Sequence, residues 1–374
     1  MASRFVRALA VAVFVLTVTL VASSVTAPSL FAAPGDCDRA CLKSTLDQYL
    51  SAVIKHDPSA APLWSGYRQT ENAAVVKPGD GIWKTATVLG QVQRSYMDPV
   101  TGGVGYFGTI REGDSTDIIT LRLKVTNRKI SEAEWIIARQ DAPGLNGAGR
   151  GGMMNPEGLA ATPPPEGMIP KGARSSREAM IAAANSYFDG LQAHDGSVVL
   201  AHPGCTRVEN GVTVTGRGGR GAPPAAAPPP PGAAAGSQAV GAIAVGGDCT
   251  SNFQGMSMIA VAARRFPIVD EDAGVVLGMV VFIRAPGSPQ KRNLLTEWFT
   301  IENDKIRGIY AAMFYPDPLT PVPNWPPYDP NWPLGLAPAP GGPGTPGGPG
   351  GPGGPGGPGG RGGRGQGGPG GPPQ

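Results

Sequence analysis

Tyr49-Leu50-Ser51-Ala52-Val53-Ile54-Lys55-His56-Asp57 lies over Tyr187-Phe188-Asp189-Gly190-Leu191-Gln192-Ala193-His194-Asp195. The spacing from Tyr to His is the same in both. Continuing from the His reaches Glu71-Asn72 in one stretch and Glu209-Asn210 in the other with no gap. Further on, Ile119–Ile130 aligns with Leu295–Ile306, placing Asn127 and Lys129 over Asn303 and Lys305. Four shared landmarks in one order, three of them at identical spacing, identify a tandem duplication. The second copy is longer in its middle, largely through an Ala-Pro tract.

Each copy reads as helix first, sheet second. Ala40–Lys55 and Arg177–Ala193 carry apolar side chains at three-and-four spacing, the pattern of amphipathic helices. Ser175 with Glu178 three residues on predicts a capping box for the second helix. Asp57 and Asp195 are read as caps of a short following helix, and His56 and His194 as closing the one before. β-rich stretches follow at 85–93, 105–111, 117–125 and 133–138, then at 256–263, 275–284, 293–301 and 309–314. Asn127 and Asn303 are read as turn residues, and Asp270-Glu271-Asp272 as a hairpin turn.

Between and beyond the copies the composition changes. The 374 residues include 57 Gly and 41 Pro, roughly twice the usual share. The excess is concentrated in a linker at 141–173, an insertion at 216–241 and a tail at 334–374 that is read as disordered. The remainder divides into a first module at 37–140 and a second at 174–333. At the N-terminus Arg4 and Arg7 precede the apolar run Ala8–Ala22 and a series of small residues, the layout of a secretory signal peptide over 1–33. That layout predicts a secreted or periplasmic protein, an uncleaved anchor being the alternative. No other segment is apolar enough to span a membrane.

Losing Arg4 and Arg7 would take the 31 basic side chains to 29 against 28 acidic ones, a balance that gives no electrostatic reason to bind nucleic acid. Four cysteines in an exported chain favour the pairs Cys37–Cys41 and Cys205–Cys249. The three His have no ligand spacing to these Cys, no Gly-rich loop ends in Lys-Ser/Thr, and no Gly-x-Ser-x-Gly occurs. The expectation is therefore no metal and no cofactor.

A long first helix ending at Asp, then a sheet with a late turn before Lys-Ile, resembles the nuclear-transport-factor-2-like superfamily of ketosteroid-isomerase and SnoaL-type proteins. Thr70-Glu71-Asn72, Pro78–Trp83, Ala184–Gly190 and Arg264–Glu271 are also similar to an uncharacterised secreted two-module family of fungi and bacteria. The resemblance implies an α+β fold of two tandem cones. In each, N-terminal helices are wrapped by a curved antiparallel sheet, leaving a pocket for a small organic molecule. It further implies non-hydrolytic acid–base chemistry of isomerase, dehydratase or cyclase type. Tyr49 and Tyr187, eight residues before the helix-ending Asp, would be the oxyanion donors. Glu71, Glu209, His56 and His194 are the candidate proton carriers. The isomerase's own carboxylate base has no match, since Lys77 and Thr215 fall at that position. The alternative is a non-catalytic binding or assembly protein whose modules pack on each other. Arg111 and Arg284, ending matched strands, are candidates for holding a substrate carboxylate.

Overall fold

A computed structural model of the chain describes residues 37–144, 147–151, 154–215, 247–256, 258–288 and 292–316. The signal-like segment, the Ala-Pro insertion and the C-terminal tail lie outside the described residues.

In the first half, helix α1 (Arg39–Ile54) leads into strands β1 (Leu63–Glu71) and β2 (Ala74–Val76). Helix α2 (Ile82–Thr85) then precedes β3 (Ala86–Asp98), β4 (Gly103–Glu112), β5 (Ser115–Thr126) and β6 (Lys129–Ala138). A small hairpin, β7 (Pro143–Gly144) and β8 (Gly147–Gly151), and helix α3 (Pro156–Ala161) fill the linker. The second half repeats the order with α4 (Arg177–Ala193), β9 (Ala201–Glu209), β10 (Val212–Thr213), β11 (Met258–Asp270), β12 (Val275–Arg284), β13 (Arg292–Glu302) and β14 (Lys305–Phe314).

The two six-stranded sheets have the same order, β2-β1-β6-β5-β4-β3 and β10-β9-β14-β13-β12-β11. They are mixed, not antiparallel throughout: β1 runs parallel to β6, and β9 to β14. The meander β3–β6 returns its last strand in the direction of β1, which sits beside it. These two parallel strands were missed in sequence because 63–71 and 201–209 lack apolar alternation. Glu71 and Glu209 end strands β1 and β9.

The landmarks of the duplication are its left-handed residues. His56 and His194 have φ of 57° and 56°, Asn72 and Asn210 of 47° and 44°, and Asn127 and Asn303 of 50° and 49°. Asn tolerates that region better than other residues with a Cβ, which explains its place at four of these six turns. Asp57 and Asp195 cap the following 3-10 turns by accepting from Ser59 N and Ser197 N. The N-cap of α4 is Ser176, accepting from Ala179 N, one residue later than the capping box predicted. Ser175 Oγ instead accepts from Asp304 N. Both expected disulfides, Cys37–Cys41 and Cys205–Cys249, are formed.

Each sheet is buried on two faces, so its middle strands read as continuous apolar runs. On the inner face, α1 packs Leu42, Leu46, Tyr49 and Leu50 on Ile119, Leu121 and Leu123. In the second half α4 packs Met180, Tyr187 and Phe188 on Val280, Leu295 and Phe299. On the outer face a third cluster joins Phe107, Ile118 and Ile136 of one sheet with Leu277, Trp298 and Tyr310 of the other. Leu159 of α3 is buried in the same cluster, so this part of the linker is folded.

Polar contacts between the sheets obey an approximate two-fold relation. Arg39 and Arg177 open α1 and α4; Asp98 and Asp270 end β3 and β11. Arg39 donates to Asp270 at 2.7 and 2.8 Å, and Arg177 to Asp98 at 3.0 and 2.7 Å. Reciprocally, Met97 N donates to Asp270 Oδ2 at 2.8 Å and Val269 N to Asp98 Oδ2 at 3.1 Å. Thr296 Oγ1 bonds Thr120 Oγ1 at 2.7 Å, two threonines at the same position of the repeat. This is the self-complementary arrangement of a two-fold dimer, written within one chain. Asp270, which opens the hairpin turn expected from the sequence, is 1 % exposed.

Candidate functional site

The inner face of each sheet meets the tyrosine of its helix, and the two halves surround it differently. In the first, Tyr49 Oη bonds Tyr67 Oη at 2.9 Å, donates to Gln69 Oε1 at 3.1 Å and accepts from Trp135 Nε1 at 3.2 Å. Trp83 Nε1 also donates to Gln69 Oε1, at 2.8 Å. Trp83 lies edge-on to the Tyr49 ring, with centroids 5.3 Å apart. All the partners of Tyr49 are neutral, and its phenol is pushed far up by burial.

In the second half Arg207 stands where the first has Gln69, and Ala311 where it has Trp135. Arg207 Nη1 donates to Tyr187 Oη at 2.9 Å, and its Nε is 3.0 Å from Glu209 Oε1. Glu297 of β13 enters the same interior, in the place of Leu121. It is fully buried, and its Oε2 has no hydrogen-bond partner among the described residues. Burial drives this carboxyl well above the usual range and the charge of Glu209 adds to it; Arg207 and Tyr187 oppose. Burial likewise raises Tyr187, against the pull of Arg207. The result is a carboxyl whose burial favours its protonated form, a phenol, a guanidinium and a second carboxyl gathered on one face. Such a group can donate to an oxyanion and move a proton.

Tyr187 and Glu209 are thus brought together; Tyr49 and Glu71 are not. Glu71 faces another cluster, accepting from Ile82 N at 2.7 Å and from Arg139 Nη2 at 2.7 Å. Arg139 Nε also holds Glu112, at 2.6 Å. Beside them burial, then the neighbouring Glu112, pushes Asp117 up to about 7. His56 Nδ1 lies 2.5 Å from Trp83 O, and His194 Nδ1 lies 3.1 Å from Phe253 O. Each His ties the end of its helix to the following segment. Arg284 has Glu112, not Arg111, as its counterpart: β4 and β12 are both 10 residues long and end on these two.

Glu297 was missed in the sequence. Its signal was present in Leu295-x-Glu297-x-Phe299, an acid between two inward apolar residues at strand spacing.

A groove of about 670 Å³ runs along α1, lined by Leu46, Leu50, Ile54, Val88, Leu89 and Tyr106 among others. Its counterpart in the second half is filled. There Phe188 packs against Gly278, where a Cβ would come 2.9 Å from the Phe188 ring. Arg264 closes over Phe188 and donates to Asp189 at 2.5 Å. No group of three or more His, Cys, Asp or Glu among the described residues is arranged to hold a metal ion. No described helix is long and apolar enough to cross a membrane.

No curated protein matches the chain. The model of a family described as a domain of unknown function, DUF8021, matches residues 173–313, a span holding Tyr187, Arg207, Glu209 and Glu297 and leaving out the first copy.

Proposed function

We propose that this is an exported protein of two cone-like modules in which the second carries an acid–base site for a small organic molecule and the first serves as its scaffold. Export is supported by the signal-like N-terminus and the two disulfides. The cone reading is supported by the resemblance to nuclear-transport-factor-2-like proteins and by a helix on the inner face of each sheet. The observation that carries the site is Glu297, a buried carboxyl with an unpartnered oxygen beside Tyr187 and Arg207. An unpartnered buried acid costs stability, about 1 to 3 kcal/mol, and a strand of this kind has no structural need of one. In the proposed chemistry Tyr187 and neutral Glu297 donate to a developing oxyanion while Glu209 accepts a proton, which suits isomerisation, dehydration or cyclisation.

The test is Glu297→Leu, which installs the first module's residue. The variant is expected to melt higher than the parent and to lose every thermal shift that a library of small organic molecules gives with the parent protein. A variant that melts lower, or keeps those shifts, overturns the reading. The groove along α1 favours a second reading, non-catalytic binding in the first module. Shifts that survive Glu297→Leu and vanish in Tyr106→Ala would favour it.

A further inference from the structure

Two buried polar atoms on β13 lack partners among the described residues, Glu297 Oε2 and Asn293 Nδ2. They belong to residues four apart on one strand, so both side chains stand on the inner face with Leu295 between them. Their Cα atoms are ~13 Å apart along an extended strand. Asn293 is wholly buried, and its Oδ1 accepts from Arg284 Nη1 at 2.5 Å, leaving its amide donor unused. Arg284 also lies over the Tyr315 ring, 5.7 Å from its centroid. No carboxylate of the described residues is within salt-bridge distance of it; burial works against its charge, and Tyr315 and the charge of Glu209 support it. At one end of the strand face, then, the Asn293 amide N–H lacks an acceptor beside a guanidinium that has no salt bridge among the described residues. A neutral acid and a phenol at the other end offer donors, and an apolar side chain separates the two.

The first half differs in the chemistry of this end and not in its satisfaction, since Asp117, matched to Asn293, also has a buried oxygen with no partner among the described residues. At the same positions it has Glu112 and Asp117, with Arg139 already held by Glu112 and Glu71. That end repels an anion where its counterpart is built to accept one.

We infer that the second module's site binds an oxo acid, its carboxylate held by Arg284 and Asn293, its methylene chain against Leu295 and its carbonyl oxygen at Tyr187 and Glu297. The inference rests on the acid–base reading above and adds the substrate class to it. The geometry suits a chain of about six to ten carbons, since the two polar ends are ~13 Å apart at the backbone and the side chains reach inward from both. Arg284 matches a carboxylate with two donors in a fork, which a point charge does not.

The experiment is calorimetric titration of the full-length protein with straight-chain oxo acids of six to ten carbons, carbonyl on the penultimate carbon, and with their methyl esters. The best-fitting acid is expected to bind at least tenfold tighter than its ester. Arg284→Ala, and Asn293→Asp, which places the first half's carboxylate there, should each reduce the acid to the affinity of the ester. Arg284→Lys, which keeps charge and bulk if the alanine variant fails to fold, should retain part of the preference. Glu297→Leu should abolish binding of both. Equal binding of acid and ester, or an acid unaffected by Asn293→Asp and Arg284→Lys, overturns the carboxylate assignment and leaves the Tyr187–Glu297 site standing. If neither acid nor ester binds, the oxo-acid assignment falls, and the acid–base site is decided by the library shifts of Glu297→Leu.

Discussion

Tyr49 and Tyr187 occupy the same turn of the same helix in the two halves, yet one sits in a neutral interior and the other in a charged one. Around Tyr49 the chain places Gln69, Trp83 and Trp135, which fill the space and converge on the Tyr49 hydroxyl and Gln69 Oε1, while Gln69 Nε2 has no partner among the described residues. Around Tyr187 it places Arg207 and Glu297, one charged and one neutralised by burial. Indole rings occupy volume and need a single acceptor each. A guanidinium and a carboxyl need several partners, and the described protein does not supply them all. A fold duplicated in one chain can surround the same tyrosine with neutral groups in one copy and with ionisable ones in the other, because the turn residues that set the backbone do not depend on what fills the interior.

That contrast can be broken most severely from the first half. Leu121→Glu would place an acid where the neighbour is Gln69 rather than Arg207 and where Trp135 occupies the space. A loss of about 4 kcal/mol or more is expected in urea unfolding. A loss under 1 kcal/mol would mean the two interiors are interchangeable.

The interface should behave oppositely, as a feature the halves share. Asp98→Ala and Asp270→Ala each strand a partly buried Arg and two backbone N–H groups, and each should cost about 3 to 5 kcal/mol. Nearly equal drops in melting temperature are expected, while exchanging partners in the double variant Arg39→Asp and Asp270→Arg should recover part of the loss. A cost confined to one of the two aspartates would deny that the halves are interlocked by one device used twice.

The smallest effect sharpens the contrast between Asp117 and Asn293. Asp117 is raised to about 7 in the folded protein, against an ordinary carboxyl near 4 when unfolded. Between those values the folded state holds the proton and the unfolded state releases it, so this group makes stability fall as pH rises. The slope is at most about 1.4 kcal/mol per pH unit, lessened because Glu112 shares the site. Asp117→Asn should therefore gain on the parent protein steadily from about pH 4 to 7 and hold a constant advantage above. A stability difference independent of pH would show that Asp117 is ionised throughout.

Much of the framework was legible because the repeat is marked by turn residues. His56, Asn72 and Asn127 and their copies hold left-handed backbone positions, where few residues serve, so the chain kept them at the same places. Helix α4 was read to the residue for a related reason: its apolar spacing ends where His194 turns the backbone. Strands β1 and β9 were not legible. They lie toward the sheet edge, half-exposed and with little alternation. The linker's Leu159 gave no sign either, since one Leu among Gly and Pro carries no period.

For the site, Tyr187 and Glu209 were identified and found together, while Tyr49, Glu71 and the histidines were tied elsewhere. Arg207 and Glu297 join Tyr187 and Glu209 only through the tertiary structure. Spacing along the chain reveals which face a residue takes, but not what stands opposite.

The sequence by itself determined the duplication, the helix-then-sheet order, both disulfide pairs and the turns that end each element, because these depend on local backbone preferences and nearby residues. Only the tertiary structure decided that Asp98 and Asp270 are buried at a two-fold seam. Only it decided that Arg207, Glu209, Glu297 and Tyr187 share one interior. Those pairings join residues from 20 to more than 170 positions apart, and what makes them strong is removal from water by both sheets, a property no single segment possesses.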